Sequence, residues 1–295
     1  MQTCVIFNPS ARGEKAEAFC SELTSLHPGC VVRRTVAQGQ ARSLAAQAVR
    51  EGFSTVVAAG GDGTANEVVN GIGDVPGGFA ASRLGILPLG TVNVFARELG
   101  LPRTVGGMAK AIAAGREQAV DLGRAEFTGN GKAESRYFLQ LGGAGVDSRA
   151  IELVSWELKK KFGPLAYVWA GLRAAREEQP LITVEAGNRA AGQLVLLGNG
   201  RFYGGSFAVF PEASLQDGLL DICVIEKLSM RRIVEFGLGI VTGRLYRFCP
   251  ALHLRSSNFK LSSDRRVLVQ LDGENAGELP ATFSVAPKVL RVIVP

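Results

Sequence analysis

A run of glycine and small polar residues between an apolar stretch and a helix-like stretch constrains this chain most. The run reads Gly60-Gly61-Asp62-Gly63-Thr64-Ala65-Asn66. Residues 53–59 before it are apolar and include β-branched side chains, which predicts a buried strand, and residues 67–72 suit the first turns of a helix. Backbone N–H groups of such a turn lie at the positive end of the helix dipole. The sequence therefore indicates a phosphate site.

Asp62 is the unusual member of this run, because a carboxylate is not expected among phosphate-binding amides. It makes chemical sense if a divalent cation or a polarised hydroxyl group lies nearby. The alternative is a tight strand–helix turn that an Asp side chain caps. The run by itself leaves both interpretations open.

Strands alternate with helices in the first part of the chain, which predicts a parallel sheet with helices on both faces. We expect strands at 3–7, 30–36, 53–59 and 84–89, and helices at 11–26, around 41–49 and up to 99. Ligands of such sheets bind beyond the carboxyl ends of the strands. The loops 8–10, 60–66 and 90–93 all follow strands, as this rule requires.

The pattern changes near residue 117, where short apolar or alternating runs begin and predict an antiparallel sandwich or barrel. These runs are 118–127, 136–141, 181–186, 192–197, 206–210, 219–225, 253–261, 267–271 and 282–285. Two helical stretches, 151–178 and 230–248, interrupt them. We therefore expect an α/β domain over residues 1–117 and a β-rich sandwich domain over residues 118–295.

Charge, cysteine content and hydropathy limit the class of protein. Lys and Arg (33) exceed Asp and Glu (27) by only 6, which is too diffuse to indicate nucleic acid as a partner. Five cysteines without CxxC spacing predict free thiols in a reducing compartment. The start of the chain does not resemble a secretory signal, and no apolar stretch approaches the roughly 20 residues of a bilayer span. We expect a cytoplasmic protein, or one peripheral to a membrane.

Further motifs identify a family. The chain has neither GxxxxGK[ST] nor GxGxxG, which excludes an ordinary P-loop and a Rossmann dinucleotide site. The run 60–67, together with Pro-Leu-Gly-Thr-Val-Asn-Val-Phe-Ala-Arg at 88–97, resembles the signature motifs of the diacylglycerol kinase catalytic family, especially its soluble bacterial lipid kinases. The pieces 142–147, 217–221 and 272–274 follow in that family's order. NAD kinases and phosphofructokinases have loops similar to the first motif, and the other motifs distinguish the lipid kinases.

The resemblance implies a fold like that of NAD kinases and diacylglycerol kinases, with the last strand near 289–293 returning to the first domain. It also implies ATP and Mg²⁺ as cofactors. The residues expected at the nucleotide are Asn8, Thr35, Gly60, Gly61, Asp62, Gly63, Thr64, Ala65, Asn66, Gly90, Thr91 and Asn93. Glu274 matches the proton acceptor, with Asp272 beside it and Asp62 as a further catalytic group. Ser214, Asp217 and Leu219 match a Mg²⁺ site in which Asp217 gives its side chain and the flanking positions give mainly backbone carbonyls.

The residues themselves leave alternatives at these positions. Asp272-Gly273 and Asp217-Gly218 are also strong turn signals. If the backbone at Asp272 and Glu274 is extended, both carboxylates point to one face of a strand.

Two stretches suit a lipid surface, although each could be a solvated basic face. Their cationic residues are Lys159, Lys160, Lys161, Arg231, Arg232, Arg244 and Arg247.

The expected function is an ATP-dependent lipid kinase whose acceptor is a diacylglycerol-like lipid at a membrane surface. A ceramide or sphingoid-base kinase would share every motif quoted above. A non-catalytic nucleotide or lipid sensor is a third possibility, and the intact Asp62, Asp272 and Glu274 argue against it.

Overall fold

The computed structural model describes residues 2–11, 21–22, 29–129, 131–145 and 179–295. The chain divides into two units: Met1–Leu122 with Ala286–Pro295, and Gly123–Val285. The division falls a few residues after the expected boundary at 117, and the last ten residues belong to the first unit. Within the described ranges, no helix combines the length and the apolar character needed to cross a bilayer.

The first unit is built on a parallel sheet. Its strands are β1 (Thr3–Phe7), β2 (Cys30–Arg34), β3 (Thr55–Gly60) and β4 (Arg83–Pro88), in the order β2-β1-β3-β4. The end of the last strand of the chain, β17 (Glu274–Ile293), pairs in parallel with β4 through Val292 and Leu84. Its helices are α1 (Gln40–Arg50), α2 (Asp62–Gly73), α3 (Gly78–Ala81), α4 (Val94–Glu98) and α5 (Val105–Ala114).

Continuous apolar runs explain this sheet. Strands β1, β3 and β4 are buried along their whole length, as expected for parallel strands covered on both faces. Phe7, Val57 and Leu87 form a core with Met108 of α5. Helix α5 begins where the Thr104 hydroxyl accepts the Gly107 N–H at 3.1 Å. The predicted parallel sheet is confirmed.

The second unit is β-rich, and two strands, β5 (Glu117–Gly129) and β17, run from one unit into the other. Its other strands are β6 (Lys132–Phe138), β7 (Leu141–Gly145), β8 (Ile182–Ala186), β9 (Asn188–Gly192), β10 (Leu194–Gly198), β11 (Phe202–Tyr203), β12 (Phe207–Ala208), β13 (Leu220–Ile225), β14 (Leu252–Ser256), β15 (Asn258–Ser263) and β16 (Leu268–Leu271). Their pairing is antiparallel. The core includes the ring of Phe283 stacked on Phe259 and edge-on to Phe138. The predicted sandwich class is confirmed.

Several expected elements differ in their bounds. Residues 253–261 were expected to form one strand, but β14 pairs with β13 whereas β15 pairs with β8 and β17, so the chain turns at Ser257. The run 136–141 joins the end of β6 to the start of β7 across a turn, and the run 206–210 contains only the two-residue strand β12. Strand β9 was not expected because it lacks β-branched residues, and it forms as the partner of β8.

The expected helix 230–248 is two helices, α6 (Met230–Thr242) and α7 (Leu245–Phe248), because Gly243 adopts a left-handed conformation with φ of 65°. The expected helix 151–178 lies outside the described residues. So does most of the expected helix 11–26: its first residue, Ala11, is the last of a 3₁₀ helix (Pro9–Ala11), and residues 21–22 are helical.

Candidate functional site

The glycine-rich run follows strand β3 directly and forms the start of α2. Strand β3 ends at Gly60, and Gly61 occupies the N-cap position of α2, where no side chain makes a capping bond. Asp62 is the acidic residue of the first helical turn and is half-buried. Gly61 rather than Asp62 therefore occupies the N-cap, and the N-terminus of α2 suits an anion.

The two glycine motifs lie against each other through their backbones. A Cβ built on Gly90 would lie 2.7 Å from the Cα of Gly61, and the Leu89 N–H donates to the Gly60 carbonyl at 2.8 Å. Gly60 is in turn covered by Thr64, whose hydroxyl oxygen would lie 2.3 Å from a Cβ on Gly60. Glycine at these positions is required by close approach, and the two loops form one surface.

Asn93 holds the second loop in shape. It is buried, with φ of 52°, and forms the N-cap of α4. Its Oδ1 accepts the Gly90 N–H at 3.1 Å, and its Nδ2 donates to the Gly90 carbonyl at 2.5 Å. Thr91 between them is exposed. Asn93 therefore positions the backbone of the loop, while Thr91 is open to a ligand.

Asn8 joins the same cluster from the end of β1. Its side-chain Nδ2 donates to the Thr64 hydroxyl at 3.2 Å, and its backbone N–H donates to the Ala59 carbonyl at 2.9 Å. Thr35 follows β2, and its N–H donates to the Phe7 carbonyl at 2.9 Å. The structure thus brings the expected nucleotide residues of this unit to the carboxyl edge of four neighbouring strands, as the sheet rule requires.

Glu67 has a role that the sequence did not reveal. Its two carboxylate oxygens accept the N–H groups of Gly39 and Ala41, each at 2.9 Å. These groups lie at the N-terminus of α1, whose N-cap residue is Gly39 and provides no side chain. A carboxylate there stabilises the helix dipole. Glu67 therefore fixes α1 against α2, and the only sequence signal was a helix start without a polar capping residue.

Asp272 and Gly273 form the two-residue turn between β16 and β17. Both have positive φ, 47° and 86°, as in a type I′ hairpin. The backbone at Asp272 is therefore not extended, so the condition under which both carboxylates would share a strand face is not met, and the turn alternative describes these residues. Glu274 is the first residue of β17 and is exposed.

The side chain of Asp272 nevertheless does more than form a turn. Its Oδ2 accepts the Leu139 N–H at 2.7 Å, and its Oδ1 accepts the N–H groups of Gln140 and Leu141 at 2.9 and 3.0 Å. Its own N–H donates to the Leu141 carbonyl at 2.8 Å. Three bonds from buried amides to one carboxylate tie the hairpin that carries Glu274 to the turn between β6 and β7.

Two further side chains, which no sequence pattern had indicated, support this hairpin. The Gly273 N–H donates to Oε1 of the buried Gln270 at 3.0 Å, and Nε2 of Gln270 donates to the Tyr203 hydroxyl at 2.6 Å. Because Gln270 bonds at both ends of its amide, its orientation is determined. The position of Glu274 therefore rests on a hydrogen-bonded network.

The expected magnesium residues lie in a turn before β13. Oδ1 of Asp217 accepts the Leu219 N–H at 3.0 Å, while Oδ2 pairs with the Arg255 guanidinium. The Ser214 hydroxyl accepts the Gln216 N–H at 3.3 Å. Among the described residues, no three His, Cys, Asp or Glu side chains are grouped as a metal site. A magnesium ion on Oδ2 of Asp217 would have to displace Arg255, and the ligand role of these residues stays a prediction.

Arg255 belongs to a larger charged group. Its Nε lies 3.5 Å from Oδ1 of the buried Asp221, which also lies 2.6 Å from Nε2 of His253. The second oxygen of Asp221 has no hydrogen-bond partner among the described residues. His253, to which the sequence assigned no role, therefore forms a hydrogen bond with a buried carboxylate.

Two deeply buried cysteines do not suit nucleophilic chemistry. Cys4, Cys30, Cys223 and Cys249 are free thiols in the part of the chain that the structure describes, as expected. Burial raises the pKa of Cys4 to about 11 and the pKa of Cys223 to about 12. Since the thiolate is the nucleophile, these two thiols are inert at neutral pH. Residues 159–161 and 146–147, which the sequence had singled out, lie outside the described residues.

Two family profiles match the chain. The diacylglycerol kinase catalytic domain matches residues 2–125, and the YegS C-terminal NAD kinase beta sandwich-like domain matches residues 142–294. A diacylglycerol kinase from Staphylococcus aureus (strain JH9) is 30% identical over 261 residues, covering 87% of this chain and 79% of that protein. A diacylglycerol kinase from Staphylococcus haemolyticus (strain JCSC1435) is 29% identical over 265 residues, covering 88% and 77%.

Solved structures share the fold. The crystal structure of a diacylglycerol kinase from Bacillus anthracis str. Sterne aligns with a TM-score of 0.73 at 24% identity, covering 100% of this chain and 97% of that one. A second crystal structure from the same organism aligns with a TM-score of 0.81, also at 24% identity, covering 100% and 95%.

Proposed function

Because this chain belongs to the diacylglycerol kinase family and is a lipid kinase by that membership, we propose that it transfers the γ-phosphate of ATP to the hydroxyl of a diacylglycerol-like lipid. The observation that carries the proposal is the contact between the two glycine motifs, Gly61 against Gly90, at the N-terminus of α2. Phosphoryl transfer depends mostly on holding and neutralising phosphates, and this surface suits that task.

In the first unit, backbone amides and one carboxylate would act on the nucleotide. The first turn of a helix presents N–H groups that intrahelical bonds do not use, and these would bind the phosphates. Gly60 and Gly90 allow the loops to pack closely on Thr64 and Gly61, and Thr91 is exposed beside them. Magnesium bound with ATP would be held by Asp62, the acidic residue of that turn, and would neutralise phosphate charge.

In the second unit, Glu274 would act as the general base. An exposed carboxylate at the start of β17 can accept the proton of an alcohol nucleophile, which contributes a factor of about 10²–10⁴ to rate. Asp272 would act as a positioning residue, because its carboxylate is fully used in holding the hairpin to Leu139, Gln140 and Leu141. In this proposal only Glu274 acts on the substrate, whereas two carboxylates on one strand face would both face it.

The substrate would be a membrane lipid, and the enzyme would act as a cytoplasmic protein at the inner face of a membrane. The support for diacylglycerol is the name of the two staphylococcal relatives, which are 29% and 30% identical to this chain.

A kinase assay over a total lipid extract tests the proposal. The purified protein is incubated with labelled ATP, Mg²⁺ and the extract, and the labelled products are identified by mass spectrometry. Phosphatidic acid as the main product would support the proposal. A phosphorylated ceramide or sphingoid base as the main product would show the proposed reaction with a different acceptor lipid. Asp62→Ala, which leaves every lipid present, is the matched control. No labelled lipid above that control, from protein that melts cooperatively, would overturn the proposed activity.

A further inference from the structure

Helix α6 is apolar on two opposite faces. On one face, Phe236 packs with Leu245 and Cys249 in the core of the second unit, and Gly239 allows a close contact because a Cβ there would lie 2.7 Å from the Cα of Leu245. On the other face, Met230, Val234 and Leu238 follow each other at intervals of four residues, so they form one stripe. These three side chains are 50%, 57% and 50% exposed.

The exposed stripe is not needed for the fold. The helix already buries one apolar face against the unit, and a solvent-exposed helix normally has polar residues on the other. A contiguous exposed apolar stripe rimmed by polar groups marks an interaction site. Among the described residues, three of the nine large exposed apolar side chains lie in this one helix.

The charges around the stripe are mostly positive. Five cationic and two acidic residues lie between Glu226 and Arg247. Both Arg231 and Arg232 bond to Glu235, which holds the pKa of that carboxyl below its usual range, and the Arg231 side chain remains 87% exposed. Arg244 and Arg247, just after the helix, are exposed as well. Apolar side chains flanked by arginine complement the surface of an anionic bilayer, which offers both acyl chains and negative headgroups.

We propose that the α6 face, defined as Met230, Val234 and Leu238 with Arg231, Arg244 and Arg247, docks on an anionic lipid bilayer. The three apolar side chains enter the headgroup region, and the arginines bind lipid phosphates. The claim that this surface gives access to the acceptor lipid rests on the proposed function. The claim that the surface binds lipid does not depend on it.

Vesicle sedimentation tests the surface. The full chain is mixed with vesicles of phosphatidylcholine alone or of phosphatidylcholine with phosphatidylglycerol, at low and at high salt. We expect binding to the anionic vesicles only, and weakening by salt because screening shortens electrostatic reach. Val234→Gln with Leu238→Gln should weaken binding about tenfold or more, and Arg244→Gln with Arg247→Gln should weaken it about fivefold for each arginine.

The matched control is Leu181→Gln, which removes an apolar side chain that is 53% exposed but lies outside α6. It should bind as the wild type does. Wild-type binding in the Val234→Gln, Leu238→Gln variant, or an equal loss in the control, would overturn the proposal. The proposal would also be overturned if the wild type is a dimer, the Val234→Gln, Leu238→Gln variant is a monomer, and both bind vesicles equally. The stripe would then join two copies of the chain.

A second assay separates this proposal from the proposed function. Phosphorylation of a short-chain diacylglycerol dispersed in detergent micelles does not require a bilayer, so both α6 variants should keep wild-type turnover there. Vesicle binding without any phosphorylation would support the lipid-binding surface and contradict the proposed activity. Phosphorylation in micelles by a wild type that binds no vesicle would contradict the surface and support the activity.

Discussion

Gly90 approaches Gly61 so closely that a Cβ on Gly90 would lie 2.7 Å from the Cα of Gly61. The two residues are 29 positions apart in the chain and belong to different strand–helix loops. Their contact joins the two motifs into one surface, where we propose that phosphate binds, and a side chain on Gly90 would not fit there.

We therefore expect Gly90→Ala to separate the two loops. Kinase activity should fall by about tenfold or more, because small displacements of a positioned reactant cost up to about 10²-fold. Steady-state kinetics over ATP concentration measures the effect. Gly106→Ala is the control, since a Cβ on Gly106 of α5 meets no atom within 4 Å, and its activity should equal that of the wild type. Equal activity of the two variants would contradict the role of the contact.

Asp62→Ala should abolish phosphoryl transfer and leave the fold intact. The carboxylate is half-buried in the first turn of α2, one residue after the N-cap position that Gly61 occupies. Turnover and thermal melting should be measured on the same preparation. Near-normal turnover in a variant that melts like the wild type would show that Asp62 has no role in the reaction.

Asp272→Asn should destabilise the protein. The new amide would direct an N–H₂ group at one of three backbone N–H donors, so at least one buried donor would lose its acceptor. The expected loss is about 1–3 kcal/mol in the free energy of unfolding. Urea denaturation measures it, with Asp264→Asn, at an exposed position in the loop before β16, as the control. An unchanged midpoint would mean that the three bonds contribute nothing to the fold.

Glu274→Gln should show the opposite behaviour. The side chain is exposed, so the change should leave the melting temperature within error of the wild type. Because Glu274 is the proposed base, its replacement by Gln should lower kcat by about 10²-fold. ATP binding should stay nearly normal. If kcat at saturating lipid is retained, the proton acceptor lies elsewhere, and Asp62 becomes the leading candidate.

The pairing of Asp217 with Arg255 makes a prediction about magnesium. Because the guanidinium already neutralises the carboxylate, the melting temperature without nucleotide should be the same in Mg²⁺ and in EDTA. Arg255→Gln would release one carboxylate oxygen, and Mg²⁺ should then raise the melting temperature of that variant. A wild-type increase with Mg²⁺ that disappears in Asp217→Asn would instead show that the ion displaces the arginine.

Much of the fold could be predicted from local patterns. Continuous apolar runs predicted the parallel strands β1, β3 and β4, because strands covered on both faces have no polar face. The glycine run predicted a strand–helix turn, because few other residues allow such a close approach of backbones. Asp272-Gly273 predicted a hairpin, because this pair accepts the positive φ of a type I′ turn.

Sequence patterns therefore predict local features: which segments are strands, where the loops are, and which residue types line them. The three-dimensional packing was needed to find that Glu67 caps a different helix, that Asp272 bonds to amides more than 130 positions earlier, and that Arg255 pairs with Asp217. This is because backbone conformation and burial periodicity depend mainly on neighbouring residues. A hydrogen bond between distant residues depends on how whole elements pack, and spacing along the chain carries no record of that packing.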